Sequence, residues 1–139
     1  MIKNRVMLFR AKSIFTELLI EGSLIQHYVD GGCYIENTEN GRVPVYKKTV
    51  CQFTGHYAEN HTPIFERDIV DCTYFDHNGN DTHVVGIVTW QDWGYVLKPI
   101  GKDAVKYSKM GYEEIELPGE DDDTESNIKV IGTVLDYDD

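Results

Sequence analysis

The chain has no stretch approaching the ~20 consecutive apolar residues that cross a bilayer. It also has no continuous apolar run of roughly 7–15 residues at its start, as a secretory signal needs. The opening "MIKNRVMLFRAKSIF" interleaves Lys3, Arg5, Arg10 and Lys12 with its apolar residues. The expected location is therefore cytoplasmic, with no membrane partner. Cysteine is scarce: Cys33, Cys51 and Cys72 are odd in number, widely spaced, and form no C-x-x-C pair. That excludes a disulfide framework and a thioredoxin-like motif, and leaves buried, reduced thiols as the expectation. Bases are few, with 13 Lys and Arg against 24 Asp and Glu in 139 residues. No Lys/Arg cluster of the kind that grips phosphate backbones stands out, so direct nucleic-acid binding is not expected. Phosphate-cradling loops (G-x-x-x-x-G-K-[ST], G-x-G-x-x-G) and the G-x-S-x-G elbow are absent as well.

What is present is enough for a core. The chain is 41% hydrophobic and 12% aromatic, which argues against disorder throughout. Its net charge of −11 is unevenly spread. Residues 113–139 hold eleven acids and one base, a balance of −10, while the other 112 residues hold thirteen acids and twelve bases.

Short β-rich runs separated by turn signals recur along the chain, the pattern of a small barrel or sandwich. "RVMLF" (5–9) suits a strand. In "RAKSIFTELLIEGSLIQHYVDGGCYIEN" (10–37), Phe15, Leu18 and Leu19 have helical spacing, so a helix over 12–20 competes with strands over 16–28; strands are preferred, with Gly22 as a bulge or bend. "DGG" (30–32) and Asn40-Gly41 mark turns. Pro44 suits an edge strand or a loop. Strands follow at 68–76, 82–90 and 95–100, the first two joined by Asn78-Gly79. Residues 101–111 suit a short helix or loop, "YEEIELPG" a short strand, and "IKVIGTVLD" (128–136) a last strand bent at Gly132. The reading is mainly β: a β-rich N-terminal part over 1–55, then an SH3-like small barrel over 56–139 interrupted by an acidic loop at 118–127.

The densest stretch is "CQFTGHYAENHTPIFERDIVDC" (51–72). A metal or acid–base cluster of His56, His61 and Asp68 is one reading. No third ligand is fixed at short spacing, and the simpler reading is a connection. Gly55 permits the turn, Ile64 and Phe65 pack on the core, and Asp68 accepts backbone amides before the next strand. "DHNGND" (76–81) lacks the glycine and distal Glu of a calcium loop and reads as a β-turn, with His77 and His83 exposed on either side. No catalytic residue, cofactor site or metal site is assigned. Alternation puts Trp90 on the Val88 face and hence in the core. Trp93, in the "QDWG" turn, and Tyr95 are the candidates for a partner surface. Asp121, Asp122 and Asp123 are the candidates for electrostatic docking; the plain alternative is a solvated loop.

Several motifs together resemble the YopX-like phage and prophage proteins of Gram-positive bacteria. They are "LFRAK" (8–12), "EGSLI" (21–25), "TVCQFTG" (49–55), "PIFERDIV" (63–70), "GIVTW" (86–90) and "VIGTVLD" (130–136), in the family's order and across nearly the whole chain. One departure is Arg67, which stands where the family has glycine before Asp68; an ordinary backbone or modest strain is implied there. The resemblance implies a phage-derived accessory protein in the cytoplasm of a bacterial host, without enzymatic activity. It would act through an unknown protein partner, and homo-oligomers through strand edges are plausible. Two other readings stand beside it: an acidic decoy that occupies a host nucleic-acid-binding protein, and a hydrolase using Asp68 with a nearby histidine.

Overall fold

The computed structural model describes residues 7–75, 78–91, 94–118 and 127–136. The chain is mainly β and divides into two compact units, Met1–Gly55 and His56–Asp139.

In the first unit, β1 (Phe9–Lys12), β2 (Leu19–Gln26), β3 (Cys33–Asn37) and β4 (Gly41–Pro44) pair antiparallel in sequence order. Residues 5 and 6 of "RVMLF" lie outside the described residues; of its described part, β1 takes Phe9 and continues to Lys12. Ala11, fully buried opposite Ile20, centres it on the core. The helical reading of 12–20 fails for a local reason. The buried Ser13 hydroxyl accepts the Phe15 and Thr16 amides at 3.1 and 3.2 Å as a helix cap would, but the single turn it starts ends at Glu17, whose φ of 62° turns the chain into β2. Gly22 is neither bulge nor bend: it stays in register opposite Phe9, and a Cβ there would lie 2.3 Å from the Glu36 carbonyl oxygen. It is a close-approach glycine. β4 is an edge strand, as Pro44 implied. The chain beyond it bends back to β1 through a bridge at Ser13–Val45, flanked by Ile14 N–H to Pro44 and Tyr46 N–H to Lys12, both 3.0 Å. Ala11, Cys33, Ile35 and Val45 are buried inside this curl, with Phe9, Ile20, Leu24 and Val50 against them.

β5 (Cys51–Tyr57) pairs with β1 and runs past Gly55 into a hairpin with β6 (Pro63–Phe65). The second unit holds a five-stranded antiparallel sheet. Its order is β10 (Ile115–Glu116), β9 (Gly94–Pro99), β8 (Asp81–Gln91), β7 (Asp68–Phe75), β11 (Ile128–Thr133). Val70, Cys72, Val84, Val88, Leu97 and Ile128 fill one face, joined by Ala58 and Ile64. Gly86 is also on that face; a Cβ there would lie 2.6 Å from the Lys98 carbonyl oxygen, so only glycine lets β9 come this close. Register slips between Val130 and Gly132, a bulge where a bend was expected.

The SH3-like barrel is not found. The ladder ends at β10 on one side and at β11 on the other, and the sheets do not close. Closure needs matched tilt and stagger along full-length edges, and β10 offers two residues. The sheet does curl: the Tyr74 hydroxyl of β7 donates to the Glu116 carbonyl of β10, three strands away in the sheet, at 2.6 Å in an exposed bond.

Helix α1 (Gly101–Lys109) covers part of the core through Tyr107. Asp103 in its first turn takes the Val85 amide at 3.0 Å. Its end is a Schellman closure: Gly111, at φ 90°, donates to Ser108 while Tyr112 donates to Tyr107. No helix among the described residues is long and apolar enough to cross a membrane.

Candidate functional site

An exposed aromatic pair lies near the tip of the β8–β9 hairpin. Register places Trp90 opposite Tyr95, and the rings meet edge-to-face with centroids 4.8 Å apart, a favoured aromatic geometry. Trp90 is 54% exposed, which corrects its placement in the core. Its face is indeed that of the fully buried Val88, but β8 runs to Gln91 and carries position 90 past the end of the packed layer. Tyr95 is half-buried and packs on the core edge, so the pair has a fixed base and an open ring. Beside it, the Gln91 amide nitrogen donates to the Glu114 carboxylate, tying the tip to the segment leading into β10. Trp93, Asp121, Asp122 and Asp123 lie outside the described residues.

The connection opened by Gly55 is a set of backbone anchors. Gly55 has φ 85°, a left-handed conformation in open space. Asp68 is fully buried, and its Oδ2 accepts the Phe65 amide at 2.9 Å. Arg67 between them sits at φ 71°, so the left-handed turn is kept although the residue is not glycine. Its amide donates to Val88 and its carbonyl accepts from Val134, both in hydrogen-bonding range at 2.8 and 2.9 Å. The turn thus locks β8 and the end of β11 together and over-determines the strained backbone. Ile64 and Phe65 are fully buried, as the sequence implied. His56 and His61 are exposed, whereas Asp68 is not. Among the described residues no group of three or more His, Cys, Asp or Glu side chains is arranged to hold a metal.

A second polar cluster escaped the sequence reading. On the outer face of β7 and β8, His83 Nδ1 is 3.2 Å from the Thr73 hydroxyl and 3.5 Å from Asp71 Oδ1. Its Nε2 is 3.5 Å from Asp81 Oδ2. The two ring nitrogens point in opposite directions, so the two carboxylates cannot share one ion with the imidazole. The cluster does suit cross-strand ion pairing when the ring is protonated. The pairing Thr73–His83 across the Asn78-Gly79 turn was the signal that could have found it.

None of Cys33, Cys51 and Cys72 forms a disulfide, and all three are buried. Burial, with Asp71 adding to it, pushes the Cys72 thiol up to about 12, far from the depressed values of reactive cysteines. Tyr74 is driven upward too, by burial first and then by Cys72 and Tyr107 beside it.

Compared with protein-family models, with curated proteins and with solved structures, the chain matches none.

Proposed function

We propose that this chain is a phage or prophage accessory protein that works in the cytoplasm by protein–protein contact rather than by catalysis, with the Trp90–Tyr95 edge as part of the contact. The observation that carries the reading is the half-exposed Trp90 held rigidly on Tyr95. Large aromatics fixed at a surface are the side chains that most often anchor partners. The motif order shared with the YopX-like proteins supports the phage context. Burial of Asp68 and the use of its carboxylate on the Phe65 amide weigh against the hydrolase reading, because a general base must reach its substrate.

The test is a pull-down from host lysate at low and high salt. It compares the native chain, Trp90→Ser with Trp93→Ser, and a variant neutralised at Glu120, Asp121, Asp122, Asp123 and Glu125. A partner lost with the tryptophans but kept by the neutralised variant supports the reading. A basic nucleic-acid-binding protein lost in high salt and in the neutralised variant, but kept without the tryptophans, replaces it with the acidic decoy. Hydrolysis of an ester or phosphoester panel that disappears in Asp68→Asn refutes it in favour of an enzyme.

A further inference from the structure

Helix α1 packs on the second unit with one side only. Asp103, Ala104 and Tyr107 are its half-buried positions. Asp103 turns inward to accept the Val85 amide at 3.0 Å, and Tyr107 packs on the core. The opposite side is open: Gly101, Lys102, Val105, Lys106, Ser108 and Lys109 are all exposed. Lys102, Lys106 and Lys109 follow one another at i, i+4 and i+7. They form a row about 10 Å long with Val105 beside it. No acid stands on that side, because the helix's one carboxylate is the inward Asp103. Such a row shows itself only on the folded helix, where every base has the same outward direction.

The row is unusual for this chain. Residues 56–139 carry six bases and nineteen acids. Four of those bases, Lys98, Lys102, Lys106 and Lys109, fall within a stretch that holds a single acid, Asp103. Yet no carboxylate among the described residues pairs with Lys102, Lys106 or Lys109. Lys106 Nζ lies 5.7 Å from the Tyr107 ring centroid, a contact that steadies the ammonium without neutralising it. Like charges at i, i+4 repel one another. Lys102 also stands in the first turn, where the helix dipole opposes a cation. The free protein keeps this row against a cost that an anion on the same face removes. Exposure beside it narrows the choice of anion. Val105, Met110 and Tyr112, in the helix and just past its end, are 56%, 59% and 55% exposed, so apolar contact is on offer together with charge. Screening confines the field of surface charges to about 8–10 Å. A short segment laid along α1 therefore meets mainly the lysines. A duplex or a bilayer spreads across a molecule of net charge −11 and is repelled. We propose that the exposed face of α1, built of Lys102, Val105, Lys106 and Lys109, docks an acidic segment of a partner protein that carries apolar residues among its carboxylates. Its evidence is separate from that of the Trp90–Tyr95 edge, and it adds a second contact surface.

The test titrates the isotope-labelled chain with a peptide of repeating Glu-Asp-Leu-Glu, read by amide chemical shifts and by anisotropy of the labelled peptide. Shifts are expected to concentrate in 98–112, and the affinity to fall as salt rises. Lys102→Gln, Lys106→Gln and Lys109→Gln together should weaken binding about tenfold or more, the scale of three exposed ion pairs lost. The same three positions changed to Arg keep the charge and should keep the affinity. Val105→Ser should cost about threefold. Lys129→Gln removes a base on β11 instead and should change nothing. Circular dichroism checks the fold; should the glutamine variant not fold, the shift map and the salt series of the native chain still decide. Shifts centred on Lys47 and Lys48, affinity indifferent to the three lysines, or no binding at all overturns the proposal. So does duplex DNA or a phosphatidylserine vesicle that binds through these lysines more tightly than the peptide, which assigns the face to phosphate. Shifts confined to the Trp90 edge overturn it as well and leave the proposed function standing.

Discussion

The two units reach order by different means. The first clusters Ala11, Cys33, Ile35 and Val45 and buries Cys51 and Phe53 besides. It relies on hydrogen-bonded turns, with Ser13 buried as a turn anchor and the Ser13–Val45 bridge drawing the sheet round. The second buries eight apolar residues across four strands and the preceding hairpin, and seals them with Tyr74, Tyr95 and Tyr107. Domains with little apolar surface to hide are the marginal ones. The comparison teaches that the second unit holds the larger packed cluster, while the first devotes buried Ser13 to a hydrogen-bonded turn.

Truncation of either core tests this most strongly. Leu97 and Ile35 are both fully buried, and each change to Ala is expected to cost about 2–5 kcal/mol. The expected difference lies in where the loss is felt. Hydrogen exchange measured by mass spectrometry should speed up in 68–99 for Leu97→Ala and in 9–45 for Ile35→Ala, with the other unit keeping its protection. Equal loss of protection in both units after either change would break the comparison, because it would make the chain one cooperative body.

Two glycines sharpen it at a smaller scale. Gly86→Ala forces a methyl against the Lys98 carbonyl and the Leu97 side chain. Overpacking of that kind costs roughly 1–3 kcal/mol. Gly55→Ala meets open space, so only the left-handed backbone resists it, at about 1 kcal/mol. Urea midpoints should rank the two in that order. At the same connection, Asp68→Ala leaves the Phe65 amide buried without its acceptor, at about 1–3 kcal/mol. Asp68→Asn retains an acceptor oxygen and should recover most of this. An Asp68→Asn variant as unstable as Asp68→Ala would mean that the charge, not the acceptor, matters at that site.

Much of this was legible in the sequence. Asn40-Gly41 and Asn78-Gly79 announced their hairpins, and Val/Ile/Thr-rich runs gave β7, β8 and β9 to within a residue, whereas the strand expected over 128–136 ends at Thr133 and gives way to a 3-10 turn. Local chemistry decides such features. What was illegible depends on distance through space. The exposure of Trp90 follows from where the packed layer stops along β8, which alternation does not encode. The need for glycine at positions 22 and 86 comes from a neighbouring strand's carbonyl. The His83 cluster required the register of β7 on β8, and the failure of the barrel to close required the length of β10.

Alkali discriminates the units most finely. An unfolded cysteine ionises near 9.0, whereas folded Cys72 holds its proton to about 12, mainly through burial. Between those pH values the unfolded chain has released a proton that the folded chain keeps. The second unit is therefore at full strength below pH 9.0 and weakens as pH rises, by at most about 1.4 kcal/mol per pH unit from this one group. Tyr74, shifted the same way by burial, steepens the decline at higher pH. Cys33 in the first unit also moves upward through burial, but Lys47 pulls it back. Urea midpoints followed by exchange in each unit from pH 8 to pH 10.5 should thus fall faster in 68–99 than in 9–45. Cys72→Ala, although weaker throughout, should show a shallower slope. A slope unchanged by that substitution would place the alkaline sensitivity in other groups and remove the thiol from the account of what distinguishes the second core.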